Sequence, residues 1–565
     1  MKFTNSTLAV IFLGSSLCAQ QAREMQIVSA GIQGPPTGIS IASENADTSA
    51  LMFRDSGNET VWLRLSDGRG LQWSPPVRLD DDTTGAVKET HKHSLQVDGN
   101  KIYAAWLDQR NGPGSDLYFT SSLDGGLSWS PTNIRLDDGF ASGNNIVRNY
   151  RLASSGNDLA ALISTDDGNE RLFITWSNDG GATWAPAESV TSHNGTADID
   201  DIALVCSNDF AYIAWRDNFI NGVDDSVWLG VFDVKRGQFV SQDISVSPNL
   251  NALGGDADDG VELSVDDNYL AVLFHADNLG SISEQLRVNL SLDLGVSWTG
   301  DFKVGQYDNA VLGHDVDNGV VLVEDSTVAV AWQDNRSGQN EVYSSYADFV
   351  SGIFIADHLC SNSTTGAGAP RIAGEFAGES FAVAWSQFSG RTFSSCFLRN
   401  GVWSNTFVVS ANTGDVRNVR ITWNDLYDNF LALWISNDSG VDEVFCGGYR
   451  PHQVSGTNLV AGTPGSISLS GFSPGEVFQV VASASRGNLV LPDSRNLGLT
   501  YDFLLKATRS LAPFGGVIGL DGTGSTVPLT IPSAFSGESI FFLAVTFDGN
   551  GDFSDLSDAV LLDIQ

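Results

Sequence analysis

From about residue 35 to residue 450 the apolar residues fall into short runs with alternating polar positions, separated by Gly, Asn and Asp. A period of two over runs of this length predicts β-strands, and the Gly-containing stretches between them predict turns. The pattern also repeats. An apolar strand is followed by a second strand ending in an aromatic residue and usually an acid. A Gly-containing loop, a third strand and a Ser-x-Asp turn complete the unit. HSLQVDGNKIYAAWLDQRNGPGSDLYFTSSLDGGLSWSPTNIRLDD (93–138) shows it best.

The second-strand anchors fall at Phe53, Trp106, Ile163, Trp215, Phe274, Trp332, Trp385 and Trp434, spaced 49 to 59 residues apart. The loops after three of them rhyme as WLDQRNG, WRDNFING and WQDNRSG. Four-stranded units at this period predict an all-β chain built on a β-propeller of eight blades, or seven if one repeat is an insertion. The eighth repeat lacks a fourth strand, while MQIVSA (25–30) is an orphan strand before the first. Pairing the two would close the ring and leave no sheet edge open, which a solenoid would not do.

Three turns share one motif: SSLDGGLSW (121–129), SNDGGATW (177–184) and SLDLGVSW (291–298). Each joins strands three and four of its repeat. The Gly allows positive φ, and the Ser hydroxyl and Asp carboxylate bind turn N–H groups. The Trp packs the turn onto the blade. Ser122, Asp124, Gly126 and Trp129, Ser177, Asp179, Gly181 and Trp184, and Ser291, Asp293, Gly295 and Trp298 therefore read as structural. LSDGRGLQW (65–73) is a degenerate copy.

This motif is the Asp box, and three good copies in a blade-like repeat resemble the BNR/sialidase-like propellers over residues 27 to about 452. The resemblance implies an active site away from the Asp boxes. It also implies three arginines clamping a substrate carboxylate, an Asp acid/base and a Tyr–Glu nucleophile pair. The chain departs from that pattern in three ways. The family's first arginine lies in a Phe/Tyr-Arg-Ile-Pro motif near the propeller start, whereas the nearest match here is PRIA at 370–373. The family's usual blade number is six. Tyr150 and Tyr427 have no Glu partner at a readable position. Catalysis is therefore left open.

Strands in a blade alternate direction, so the loops leading into each innermost strand share the face opposite the Asp boxes. They read THKH (90–93), VRNYR (147–151), ADIDD (197–201), GDADD (255–259), GHDVDN (313–318), APRI (369–372) and VRNVR (416–420). Counted back from each anchor, His93, Arg148, Asp200, Asp259, Asp317, Arg371 and Arg420 lie 13 to 15 residues upstream. A ring of charge at a concave channel mouth is a ligand-site signature. The expected contact residues are His91, His93, Arg148, Asp198, Asp200, Asp256, Asp258, His314, Asp317, Arg371 and Arg420. Arg148, Arg371 and Arg420 share a register, and bidentate Arg–carboxylate pairing gives such a group its physical sense. The Asp-x-Asp loops offer hard oxygen ligands of the kind Ca²⁺ takes.

The formal charge of −38 over 565 residues excludes nucleic acid and anionic membrane surfaces as partners. MKFTNSTLAVIFLGSSLCAQ has the layout of a secretory signal peptide cleaved near Ala19 or Ala22, and no later apolar run is long enough for a transmembrane segment. The expectation is a secreted chain: leader 1–22, propeller 25–452 and C-terminal β-sandwich 453–565. Cys206, Cys360, Cys396 and Cys446 show no zinc spacing, the sequence fixes no disulfide pairing, and Cys206 reads as a buried free thiol.

After residue 453 the repeat gives way to six or seven short strands. GVIGLDGTGSTVPLTIPSAFSG and DAVLLDI resemble a C-terminal module appended to secreted bacterial proteins. Asp548, Asn550 and Asp552 sit at calcium-loop spacing, but the twelfth position is Ala559, so a polar hairpin is expected instead. The leading functional expectation is a carbohydrate-binding propeller that recognises extracellular glycan or polysaccharide at its channel mouth. The alternatives are a glycoside hydrolase or polysaccharide lyase, and a surface scaffold for a protein partner.

Overall fold

The computed structural model describes the chain from Arg23 to Gln565, apart from 249–255, 278–283, 306–314, 362–365, 375–379, 388–392, 410–415, 486–498 and shorter interruptions. Eight antiparallel sheets of four or five strands follow one another through residue 449. In blade two the order from the channel outward is Leu95–Asp98, Lys101–Asp108, Asp116–Ser122 and Ile134–Arg135, with Val87–Glu89 joining the second strand. The expected eight-bladed, all-β propeller is what forms.

Each middle strand explains why the ring holds. Its residues alternate between two neighbouring blades, so both faces must be apolar. Ile102, Ala104 and Trp106 pack toward blade one, while Tyr103, Ala105 and Leu107 pack toward blade three. All eight anchor residues are fully buried. Eight such seams exist, and the eighth joins Leu433, Val444 and Cys446 of blade eight to Ile39, Leu51 and Phe53 of blade one. That seam is what a solenoid would lack.

Closure also uses the N-terminal strand. Arg23–Ile27 pairs antiparallel with Glu443–Tyr449 and becomes the outer strand of blade eight. Just beyond it, Ser29 Oγ accepts the Val444 N–H at 2.8 Å. The same latch recurs around the ring, where Asp80, Asp137, Asn194, Ser247 and Ser361 accept the N–H of Val61, Leu117, Leu172, Val227 and Val342. In six of the eight blades a side chain after the outer strand thus satisfies a buried donor at the start of strand three. The Asp137 carboxyl is pushed up to about 6, chiefly by burial, with Arg135 opposing.

The Ser-x-Asp turns hold together by one repeated network. Ser122 Oγ donates to Asp124 (2.9 Å) and accepts from the Gly126 N–H (2.8 Å), and Asp124 accepts from the Ser128 N–H (2.8 Å) and hydroxyl (2.5 Å). Asp179 with Thr183, and Asp293 with Ser297, repeat it. These bonds hold the Asp124 and Asp293 carboxyls below the usual range. Each turn also reaches past its own blade. A Cβ on Gly181 would lie 2.4 Å from Phe119 of blade two, and one on Gly126 would lie 2.2 Å from Leu65 of blade one. Trp184 packs edge-on to Phe119 at 5.0 Å. The turns clasp the preceding blade rather than only their own.

Beyond Gln453 two further sheets share one core. Val454, Ile467 and Leu469 come from one, and Phe478, Val480, Phe542 and Ala544 from the other. A short helix, Phe503–Thr508, was not expected; Asp502 caps it by accepting the Leu505 N–H at 3.0 Å. Asp548, Asn550 and Asp552 lie outside the described residues. Cys206, Cys360 and Cys446 are free thiols, with Cys206 pushed up to about 12 by burial. Among the described residues no helix is long and apolar enough to cross a membrane.

Candidate functional site

The innermost strands share a feature that the period-two pattern conceals. Seven of the eight carry a register shift near the channel-mouth end, and in blade two, where Leu95–Asp98 pairs without one, the shift falls in Val87–Glu89 instead. In blades one, six, seven and eight the two extra-paired residues face the anchor itself: Gly38 and Ile39 face Phe53, and Asn418 and Val419 face Trp434. Gly38, Asp201, Gly260, Asn318, Ala369 and Asn418 take positive φ at these bulges. Such bulges bend the strand and re-aim the side chains beyond them.

Immediately past the bulges, one register carries Arg151, Glu262, Arg371 and Arg420, paired with Leu162, Leu273, Ala384 and Leu433. Each arginine turns back on its own bulge. Arg371 donates to Pro370 O (2.7 Å), Arg420 to Val419 O (2.9 Å), and Arg151 to Asn149 Oδ1 (2.6 Å) and Tyr150 O (2.9 Å). The Nε atoms of Arg371 and Arg420 are buried without a hydrogen-bond partner among the described residues. Burial lowers all three guanidinium pKa values, and the field of Glu262 opposes this at each. Arg420 is pushed down to about 9, by burial first and then by Arg371. A cationic group this poorly compensated favours an anion.

Arg151 and Arg420 open onto a concavity of about 240 Å³ with Thr90, His91, His93 and Asn149. The His91 ring lies 4.9 Å from the Tyr150 ring, and its Nδ1 is 3.5 Å from the Glu89 carboxylate. Its Nε2 is buried and unpartnered among the described residues. Burial, then Arg151 and Arg420, pushes its pKa down to about 4, so the imidazole is neutral near pH 7. Tyr150 itself is committed to structure, its hydroxyl bonded to Ser94 Oγ and donating to Ala105 O at 3.1 Å.

The sequence count grouped Arg148 with Arg371 and Arg420; the structure puts Arg151 there. Arg148 is half exposed and paired with Glu170, as Arg417 is paired with Asp442. The count crossed a hairpin of variable length. Ser155 pairs with Asp158, whereas Asn424 pairs with Asn429, which lengthens blade eight by two residues. The pentapeptides VRNYR and VRNVR, laid directly over each other, would have matched Arg151 to Arg420. Glu262 was missed because nothing in its own loop marks it.

The remaining expected residues divide. Arg148, Asn149, Asp200 and Asp201 line a second concavity of about 200 Å³, with Asn149 common to both. Arg216 lies 3.6 Å from Asp200 and 3.2 Å from Asp201. Asp198 accepts from Asn218 Nδ2 (3.2 Å), and Asp317 from Gln333 Nε2 (3.2 Å). Asp256 and Asp258 are placed by backbone opposite Asp277 and His275. His314 and Tyr427 lie outside the described residues. Among the described residues no group of three His, Cys, Asp or Glu side chains could hold a metal ion.

No family model and no curated protein matches this chain. Solved structures with a similar architecture include an ulvan lyase of a new polysaccharide lyase family bound to -[GlcA(1-4)Rha3S]-, at 12% identity over 68% of this chain and 98% of that one, TM-score 0.42. A Trypanosoma rangeli sialidase in complex with the inhibitor DANA is 10% identical over 76% and 89%, TM-score 0.36. The WD40 domain of SCAP from fission yeast is 10% identical over 75% and 98%, TM-score 0.44. The likeness is one of fold, and fold does not carry function.

Proposed function

We propose that this propeller binds an acidic glycan, one bearing carboxylates, at its channel mouth. The observation that supports this most is the trio Arg151, Arg371 and Arg420, held just past three bulges with Glu262 as the carboxylate whose field reaches all of them. In a chain of charge −38 such a cationic pocket is a local exception, and it selects for anions that the rest of the surface repels. The mouth is concave, which suits a saccharide better than a flat protein partner. With the leader-like N-terminus, the reading places the protein outside the cell. Calorimetric titration with acidic and neutral oligosaccharides of equal length tests it. Equal affinity for the two, or none for either, would sink it.

A second reading, a polysaccharide lyase, is supported by His91. A neutral imidazole whose Nε2 has no partner among the described residues can take the proton next to a uronate carboxylate once that carboxylate offsets Arg151 and Arg420, whose charge otherwise opposes its protonation. The electron pair of that C–H bond forms the ring double bond as the glycosidic oxygen leaves, and the imidazolium can return the proton to that oxygen. Mass spectrometry of an incubated acidic polysaccharide distinguishes the readings. Unsaturated fragments that vanish in His91→Gln, with binding retained, would make it an enzyme. Intact polymer would leave it a binder.

A further inference from the structure

Repeats two and six place an arginine four residues after the anchor, and both tie it down. Arg110 sits 4.0 Å over the Tyr118 ring and pairs with Asp108 at 2.7 Å. Arg336 sits 4.2 Å over Tyr343 and pairs with Asp334 and Asp357. Repeat four keeps the anchor, Trp215, and the acid, Asp217, but the position of the arginine holds Phe219. The ring is 44% exposed, beside Ile220 at 51%. The remaining repeats have Gly57, Asp167, Asn278, Ser389 and Asp438 at this position, so repeat four alone places a large apolar ring there, and it does so with the acid of repeats two and six retained.

The ring is also held rigidly. Phe219 stacks on buried His193 at 3.7 Å and 11°, and Trp228 meets that imidazole edge-on at 4.8 Å. Asp217 fixes the stack from beneath, bonding His193 Nδ1 at 2.6 Å and accepting the Phe219 N–H at 3.1 Å. Its neighbour Asn218 is bonded both ways to Asp198, at 3.1 and 3.2 Å. Two residues further on, Asp200 and Asp201 line the second concavity, which shares Asn149 with the arginine concavity. The Phe219 loop is thus tied through Asn218 and Asp198 to the strand that lines the second concavity, and Asn149 links that concavity to the one of Arg151 and Arg420.

We infer that Phe219 is a stacking platform for a pyranose ring of the same glycan chain whose carboxylate occupies the arginine pocket. The inference rests on the acidic-glycan reading and adds an outer subsite to it. A flat ring pre-ordered on His193 offers apolar contact at low entropic cost, which suits the C–H face of a sugar.

The test uses the full-length chain and oligosaccharides of two to eight sugars from pectin, alginate and glycosaminoglycans. Phe219→Ala should weaken binding of the longest oligomers about five- to tenfold and leave dimers unchanged, and Phe219→Arg should weaken them less, because its added charge attracts the acidic chain. Phe219→Arg restores the residue that the fold accepts in repeats two and six, so lost binding in both variants is not lost folding. Arg420→Ala should weaken dimers and octamers alike. Dimer binding by the wild type with octamer affinity unchanged in both Phe219 variants would overturn the platform alone. A wild type that binds no acidic oligosaccharide would overturn the acidic-glycan reading and the platform with it.

Discussion

The two faces of the propeller are built from the same repeat and solve opposite problems. On the face of the Ser-x-Asp turns the charged groups are paired locally, and the Asp179 carboxylate alone accepts from Ser177, from the Thr183 N–H and from its hydroxyl; only the neutral indole Nε1 atoms of Trp129, Trp184 and Trp298 are buried there without a partner among the described residues of these turns. At the channel mouth, Arg371 and Arg420, just past their bulges, and His91 each keep a buried Nε atom without a hydrogen-bond partner among the described residues. A paired network stabilises a fold; an unpaired buried charge costs stability and persists where a ligand completes it. On the proposed reading, polar residues mean carpentry on one face and recognition on the other.

If this contrast is right, the faces should separate under mutation. The largest effect is expected from Gly181→Ala, which forces a Cβ into Phe119 at a φ of +83°. Strain and overpacking together should cost about 3–4 kcal/mol in urea unfolding, with glycan affinity of the folded protein unchanged. Arg420→Ala should do the reverse, losing about 3 kcal/mol of binding by calorimetry while stability holds or rises, since an under-compensated buried cation is removed. A fall in stability matching the loss of binding would erase the distinction between the faces.

A smaller effect should follow pH. His91 titrates near 4 in the fold and near 6.5 unfolded, so between those values the unfolded chain binds the extra proton. Stability present above about pH 6.5 should fall as pH drops toward 4, by about 2 kcal/mol after allowance for the partly exposed ring. His91→Gln should flatten that part of the thermal-unfolding profile. The smallest effect tests the turns among themselves. Where two copies have Gly125 and Gly180, the third has Leu294 at a φ of 59°. Leu294 also packs against the core between blades four and five, so Leu294→Gly sets about 1 kcal/mol of relieved strain against lost burial and should leave urea unfolding within about 1 kcal/mol of the wild type; a larger loss would show that the copies are not equivalent.

Much of the fold was legible because its signals are local. Period-two runs, buried anchors such as Trp106 and Trp332, and Gly-Gly turns each report on a few neighbouring residues. Even ring closure could be read, since an orphan strand and a missing one stood at opposite ends. The mouth was harder to read. Arg371 and Arg420 were found, but Arg148 stood in for Arg151 because a fixed offset from the anchor ignores a hairpin two residues longer in one blade than another. Phe219 went unnoticed as a site residue because, in sequence, it is one more apolar letter in a rhyming loop.

The sequence by itself determined strand content, the eightfold repeat, the chemistry of the Ser-x-Asp turns and the acidic balance, all of which depend on spacing within one repeat. Only the tertiary structure decided which face of each turn meets the preceding blade, which arginines share a level, and that Glu262 stands with them. Those relations join residues of different repeats, from 49 positions apart for Arg371 and Arg420 to 269 for Arg151 and Arg420, and two extra residues in a hairpin or one bulge in a strand changes them without changing the pattern that encodes the strand.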